Sequence, residues 1–557
     1  MNFVMVSNTG TTPSTIRVGR RYRANRLCTG YDALVIGSGI GGLAAAACLS
    51  KMGKKVCVLE QHYTAGGFTH SYDRHGYEWD VGVHYIGDMG STRTLGRRLF
   101  DHITAGQLHW AAMDDEFDRV FIGDQTFGLI SGKDAYREAL VDAFPEEEQA
   151  IDQYLAYMRA ASRGVQSYTL DKILPSWAQR VKDVLFTRFM PSQQPPPFFN
   201  KTTREVLESL TDNQTLIALM TSQWGDCGMP PAESSFIIHS MIAQHYMNGA
   251  YYPVGGASQM ARTIIPVIQK SGGEVFTYAS VEKILVENEQ VRGVQMADGH
   301  TIKCPIVISN AGVFNTFDKL LDTRLPLQRQ YSEKLQQVSP SMASICLYIG
   351  IQDTAENLQL PKTNFWIYPN ENYEQVISEF KTETRYTGNA AFPMVYISFP
   401  SAKDPDFLRR YPGRATVEIV APCLHSWFEQ WQDQPWGKRG NDYESLKEAL
   451  SQRLLAELYK KLPQLEGRVD YYELSTTLST DFFCRYKQGE IYGLDHSPQR
   501  FDQSWLKPKT EINGLYLTGQ DVMTCGVVGA MVGGLLTAVQ LGGLKGMRLA
   551  KDMFSKA

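Results

Sequence analysis

The feature that most constrains the fold is VIGSGIGG, which begins at Val35, is followed by the small-residue run LAAAACLSKMG, and leads into KVCVLE ending at Glu60. Apolar run, glycine turn, small-residue helix and second apolar run make up the strand–turn–helix–strand unit in which a parallel sheet begins. Each glycine has a task. Gly37 permits the tight turn, Gly39 lets the backbone approach a pyrophosphate, and Gly42 lets helix and strand pack closely. Ser38 and Gly41 complete the turn, and the phosphate is expected on the positive helix terminus. Glu60 ends the second strand, about 20 residues on, where a carboxylate can accept hydrogen bonds from a ribose diol. Strand, helix and acid coincide with the glycines, so a bound dinucleotide is expected rather than a merely structural turn.

Gly66 and Gly67 follow where a nicotinamide-binding unit would enter its next helix. Backbone without side chains suits close passage beside an extended cofactor, although an ordinary turn would use the same residues. The pattern ExxxxxGG after the second strand resembles the FAD-binding motif of the glutathione-reductase and amine-oxidase-like flavoproteins, and this resemblance implies FAD. Far downstream, NGLYLTGQDVMTCGVVGAMVGGLLTAVQLGG, from Asn513, reads as a strand, an acid at Asp521 and a glycine-rich helix. Where that superfamily carries Gly-Asp, this chain has Gly519, an inserted Gln520 and Asp521. An aspartate there can bind a ribityl or pyrophosphate hydroxyl while the helix end faces the flavin's polar edge. Val281 and Val528 complete the expected cofactor contacts.

Between these ends, VEKILVENEQVRGVQMADGHTIKCPIVISNAG, from Val281, alternates short β-rich runs with polar turns and reads as a meander of hairpins. The fold expected is α/β: a Rossmann-type FAD-binding domain, built from residues 31–100, 250–315 and 505–557, interleaved with an α+β substrate domain from 101–249 and 316–504. Residues 1–30 are expected to form a flexible basic arm, since Arg17, Arg20, Arg21, Arg23 and Arg26 are its only charged side chains. An organellar transit peptide and an upstream start codon fit that stretch too; without an apolar core it is not a secretory signal.

Of the 557 residues, 43% are hydrophobic and 20% charged, as in folded globular proteins. A net charge of -4 supplies no basic face for nucleic acid. Nine scattered cysteines without a C-x-x-C pair suggest reduced thiols in a reducing compartment, cytoplasmic or organellar, and no metal site. The apolar run from Val527 to Val539 is shorter than the roughly 20 residues that span a bilayer, so no transmembrane helix is expected. From Leu174, LPSWAQRVKDVLFTRF places Leu174, Trp177, Val181, Val184 and Leu185 on one face of a helix over 174–190, with Arg180, Lys182 and Arg188 elsewhere. That helix either touches a membrane peripherally, collecting a lipid-dissolved substrate, or turns its stripe to the core. Tyr246, Tyr251 and Tyr252 are candidates for the wall of an apolar tunnel, with core packing as the alternative.

GYEWDVGVHYIGDM from Gly76, YYPVGGASQM from Tyr251, VISNAG from Val307 and TGQDVMTCGVVGAM from Thr518 resemble the retinol saturase and carotenoid cis-trans isomerase branch of the phytoene desaturase-like flavoproteins. The similarity runs from Tyr31 to Gly543. It implies FAD with its isoalloxazine between the two domains, facing a hydrophobic polyene substrate. The implied activity is FAD-dependent oxidoreduction at a C=C bond of a retinoid or carotenoid-like polyene. Two alternatives share the motifs or fold: a redox-neutral cis-trans isomerase using reduced FAD, and a non-catalytic prenyl-lipid escort of the GDP-dissociation-inhibitor kind. His84 and Tyr85 are the candidate catalytic side chains, the first as proton donor near neutral pH, the second as a hydrogen-bond partner of the cofactor. Core packing would explain the same two residues. No second GxGxxG unit occurs, so the electron donor is the substrate, a partner or a transiently bound reductant, and is otherwise unknown.

Overall fold

The computed structural model describes residues 14–174, 198, 200–486 and 488–554. The helix expected over 174–190 therefore lies outside the described residues beyond Leu174. The opening unit forms as strand Ala33–Ile36, helix Ile40–Lys51 and strand Val56–Leu59. Every residue of both strands is buried, as in a parallel sheet covered on both faces. Six parallel strands lie in the order Arg20–Arg21, Glu274–Thr277, Val56–Leu59, Ala33–Ile36, Val307–Ser309, Leu515–Leu517. Val35 faces Val58 on one side and Ile308 on the other, which aligns the carboxyl ends of three strands from distant parts of the chain.

The described part of the expected flexible arm, from Ser14 to Gly30, is not free. Arg20–Arg21 forms the edge strand, Ile16 and Val18 are buried, and Ser14 Oγ donates to Asp73 Oδ1 at 2.7 Å. The alternation Ile16, Arg17, Val18 sends apolar side chains inward, and the density of arginines conceals that period in the sequence.

Helix Ile40–Lys51 is buried along nearly its whole length because it packs against the second glycine-rich helix, Gly526–Leu541. Small residues let the two backbones touch: a Cβ on Gly41 would stand 2.5 Å from Gly519 Cα and 2.8 Å from Ala530 O. The meander forms as Val281–Glu287, Gln290–Met296 and Thr301–Lys303. Its first turn places Asn288 and Glu289 at φ 51° and 59°, the left-handed pair whose twist suits a two-residue hairpin.

A second, seven-stranded sheet runs in the order Val469–Ser475, Ala343–Ile351, Ala415–Cys423, Val395–Ser398, Asn364–Tyr368, Glu116–Ile122, Gln125–Ile130. Only the pair Asn364–Tyr368 and Glu116–Ile122 is parallel. The hairpin Ser71–Arg74 and Tyr77–Asp80 is bonded to this sheet: Trp79 Nε1 donates to Ile349 O at 2.9 Å, and Asp80 N to Glu418 Oε1 at 2.8 Å. Helices Glu148–Asp171 and Phe236–Tyr246 pack together beside it. Among the described residues no helix is long and apolar enough to cross a membrane.

Candidate active site

A cavity of about 640 Å³ opens at the carboxyl ends of the parallel strands, where ligands of open α/β sheets bind. Gly37, Gly39, Gly41, Glu60, Gly66, Gly67, Val281 and Asp521 line it. Ser38, Gly42 and Gly519 do not; they build its floor. A Cβ on Gly42 would overlap Gly37 O, and one on Gly519 would overlap Asn310 Oδ1. Val528 differs from expectation. It lines a second cavity, while its neighbour Val527 lines both, because successive helical side chains diverge by about 100°.

Glu60 is a hub. Its Oε2 accepts from Ser38 N at 2.8 Å and Ser38 Oγ at 2.7 Å, and its Oε1 from His62 N at 2.7 Å. A carboxylate offers about four acceptor sites, so one remains for a hydroxyl from the cavity. Ser38 Oγ in turn accepts from Gly66 N at 3.1 Å, which joins the two glycine motifs. Asp521 is buried and already bound: Oδ2 accepts from Val313 N at 2.8 Å and Oδ1 from Leu494 N at 3.2 Å. Burial raises its pKa despite these bonds. Arg500 fixes the loop beside it, donating to Gln520 O at 2.8 Å and Met523 O at 3.1 Å.

Sequence reasoning overlooked Asn310. It follows strand Val307–Ser309, and its side chain lies within 3.6 Å of the positions that Cβ atoms on Gly37, Gly39, Gly41 and Gly42 would take. All four glycines and Gly519 are thus shaped by one asparagine at a strand end, a signal contained in SNAG but unreadable without the sheet order.

The second cavity, about 1310 Å³, lies among helices Glu148–Asp171, Phe236–Tyr246 and the start of Gly526–Leu541. Leu155, Met158, Val165, Ile238, Met241 and Ile242 give it an apolar wall. Tyr246 lines it; Tyr251 and Tyr252 stand outside both cavities, Tyr252 because its hydroxyl is bonded to Asp80. The two cavities share Gly82, His84, Asp226, Tyr492, Gly526 and Val527 as a common wall.

His84 therefore faces both cavities, and Tyr85 the second. Burial and the Lys403 ammonium push the His84 imidazole down to about 3, and burial pushes Glu418 up to about 8. His84 Nδ1 and Glu418 Oε2 lie 2.8 Å apart, and burial disfavours the charged form of both. Burial thus works against the protonated imidazole that the proton-donor role expected of His84 would need. Tyr85 stacks on Tyr246 with ring centroids 4.2 Å apart and donates to Asp118 Oδ2 at 2.9 Å. Behind them Lys403, which burial pushes down to about 7, donates to His84 O at 3.0 Å, Ser398 Oγ at 2.8 Å and Asn364 Oδ1. This buried polar network was missed too. An acid inside an apolar strand, Asp118 in EFDRVFI and Glu418 in ATVEIVAPC, was the available signal. Among the described residues no group of three or more His, Cys, Asp or Glu side chains is arranged to hold a metal.

Comparison with known proteins agrees with this geometry. The model of the NAD(P)-binding Rossmann-like domain matches residues 35–103. The chain is 38% identical over 531 residues to the all-trans-retinol 13,14-reductase of Macaca fascicularis, covering 92% of this chain and 86% of that one. The chain belongs to the all-trans-retinol 13,14-reductase family. An inactive all-trans-retinol 13,14-reductase of Danio rerio is 33% identical, over 93% of this chain and 87% of its own. The chloroplastic prolycopene isomerase of Daucus carota is a more distant relative of the reductase family, 25% identical over 91% and 79%. Among solved structures, cyclohexylamine oxidase from Brevibacterium oxydans IH-35A shares the fold at 15% identity, with a TM-score of 0.56 over 94% of this chain and 99% of that one. The resemblance to the saturase and isomerase branch thus stands, as does an oxidoreductase on a Rossmann-type α/β fold.

Proposed function

We propose that this chain is an FAD-dependent reductase that saturates a C=C bond of a retinoid. The observation that carries the reading is the common wall. A cavity shaped by dinucleotide-type glycine turns meets a larger apolar cavity, and six residues border both. A flavin lying in the first would present its reactive edge to a polyene in the second.

The residues present fit FAD. The turn Gly37–Gly42 with the helix terminus behind it would take the pyrophosphate, the free acceptor site of Glu60 a ribose hydroxyl, and Gly66, Gly67, Val281 and Asp521 the extended remainder. Reduced FAD supplies a hydride equivalent; orientation and exclusion of water fall to the protein. The apolar wall from Leu155 to Ile242 would hold the polyene chain, and the Tyr85–Tyr246 stack would fix its position beside the common wall. Nothing resembling a second dinucleotide turn accompanies the first among the described residues, which favours an external electron donor.

Peripheral contact with a bilayer accords with the exposed apolar side chains near the second cavity. Leu170 and Phe554 line it and are themselves exposed; on the same final helix Leu544 and Met547 are 74% and 58% exposed, beside Lys545, Arg548 and Lys551. Apolar anchors flanked by basic residues suit the interface of an anionic membrane.

The test is anaerobic incubation of chemically reduced, FAD-loaded protein with all-trans-retinol and, separately, a cis-carotene, followed by chromatography with mass detection. A product heavier by two hydrogens with reoxidised flavin supports the saturase. A product of unchanged mass with the flavin still reduced would reassign the chain to isomerisation, the activity named for the carrot relative. No product from either, with FAD bound, would place it functionally beside the inactive relative.

A further inference from the structure

Saturating a double bond needs a proton as well as a hydride, and the common wall contains one carboxyl group. Asp226 ends the short helical turn Trp224–Asp226 and borders both cavities. Two tyrosine hydroxyls, from Tyr85 and Tyr246, approach it. Tyr85 stands between Asp226 and a second carboxyl, with its oxygen 2.9 Å from Asp118 Oδ2 and 3.4 Å from Asp226 Oδ2. One hydroxyl carries one hydrogen and cannot satisfy two carboxylates.

The surroundings of Asp118 decide where that hydrogen goes. Asp118 also accepts from Asn364 Nδ2 and Gln223 Nε2, each at 2.9 Å, so with Tyr85 it receives three donors, which favour its charged form against the burial that pushes it up to about 6. Once Tyr85 donates to Asp118, its oxygen faces Asp226 as an acceptor. At 3.4 Å the contact becomes a full hydrogen bond when Asp226 presents an O–H to that oxygen.

We propose, on the reading that this chain reduces a polyene, that the Asp226 carboxyl is the general acid which protonates the substrate carbon adjacent to the one receiving hydride. The Asp226 O–H bond breaks and a C–H bond forms at one carbon; the hydride from the reduced flavin forms the C–H bond at its neighbour. The polyene is reduced by two electrons, the flavin is left oxidised, and the Asp226 carboxylate regains a proton from solvent after product leaves. Tyr85 is a positioning residue, since it fixes which carboxyl holds the proton.

The groups facing Asp226 reinforce the assignment. Asp118, Tyr85, Tyr246, Tyr368, Tyr396 and Tyr492 surround it, and Cys525 Sγ lies 3.6 Å from its backbone oxygen. These are acids and phenols, so ionising Asp226 would place a second anion near Asp118. Burial, followed by the Asp118 charge, pushes Asp226 up to about 8. Both effects favour the protonated carboxyl, the form that a general acid needs.

The experiment pairs a spectroscopic readout with turnover, using FAD-loaded wild type, Asp226→Asn and Tyr85→Phe. Infrared difference spectra of wild type minus Asp226→Asn at pH 7 should contain a protonated-carboxyl C=O band that shifts in D₂O. In Tyr85→Phe the band should move, reflecting a changed hydrogen bond, without vanishing. In single turnovers of the reduced enzymes with all-trans-retinol, Asp226→Asn should slow product formation by about 100-fold or more at unchanged flavin content. A missing band at pH 7, or turnover by Asp226→Asn within threefold of wild type, overturns the proposal. If wild type itself reduces no polyene, the functional reading has failed, and the infrared band alone still decides whether Asp226 holds the proton.

Discussion

Gly67 lies directly against Gly39: a Cβ on Gly67 would stand 2.8 Å from Gly39 Cα, and Gly66 pairs with Gly39 in an isolated parallel bridge. The glycine fingerprint and the later glycine pair are therefore one surface and not two motifs. Its smoothness is what a pyrophosphate approaching the helix terminus requires, because any side chain here would either enter the cavity or force the two segments apart.

Gly67→Ala tests that surface twice over. Gly67 has φ 56°, where an L-residue is strained by roughly 1–2 kcal/mol, and its new methyl group would press on Gly39. The variant should purify with markedly less flavin and bind added FAD at least 10-fold more weakly, measured by absorbance and by titration calorimetry. Retention of stoichiometric FAD would show that the contact has nothing to do with the cofactor.

The pH dependence of stability can be predicted at His239, buried with its Nε2 2.9 Å from the Tyr154 hydroxyl. Burial pushes its imidazole down to about 4, below the ordinary 6.5. Between those values the unfolded chain binds more protons than the folded one. The contribution is therefore fully present above pH 6.5 and is lost as pH falls toward 4. Chemical denaturation of wild type and His239→Gln should show the wild type's relative stability decreasing on acidification across that window, by up to about 3 kcal/mol.

These residues also mark how far the sequence could be read. The Rossmann unit, the second glycine pair and the distant Gly519–Asp521 turn were legible because each is local: the required backbone conformations are written in consecutive residues. Asn310 and the Asp118–Tyr85–Asp226 arrangement were not, since they depend on strand order and on side chains brought together across the seven-stranded sheet. Val528 borders the second cavity and not the first for a smaller reason, a single residue of helical rotation. The edge strand Arg20–Arg21 was hidden by composition, its arginines outweighing the buried Ile16 and Val18 beside it.

Val165→Trp separates the two cavities functionally. Val165 lines only the second, on the helix Glu148–Asp171, and a Trp side chain there would occupy space assigned to the polyene. FAD content should be unchanged while the apparent KM for all-trans-retinol rises at least 10-fold, a split readable from flavin absorbance and steady-state kinetics. An equal loss of flavin would mean that the cavities do not divide cofactor from substrate.

The final helix, Gly543–Phe554, offers the last test, because its exposed apolar side chains have no evident use in water. Leu544 and Met547 project from it near the basic Lys545 and Arg548, while Phe554 reaches the second cavity. Burying the apolar anchors in the interface would bring that cavity next to the phase in which a retinoid dissolves, and the basic side chains would draw the helix to anionic lipid. The double variant Leu544→Asp, Met547→Asp should sediment with phosphatidylserine-containing vesicles at least 10-fold less than wild type, while its turnover of detergent-dispersed retinol stays within a factor of two. Equal sedimentation by both proteins would overturn a membrane contact through this helix; equal losses of vesicle binding and detergent turnover would mean that the substitutions disturb the second cavity itself.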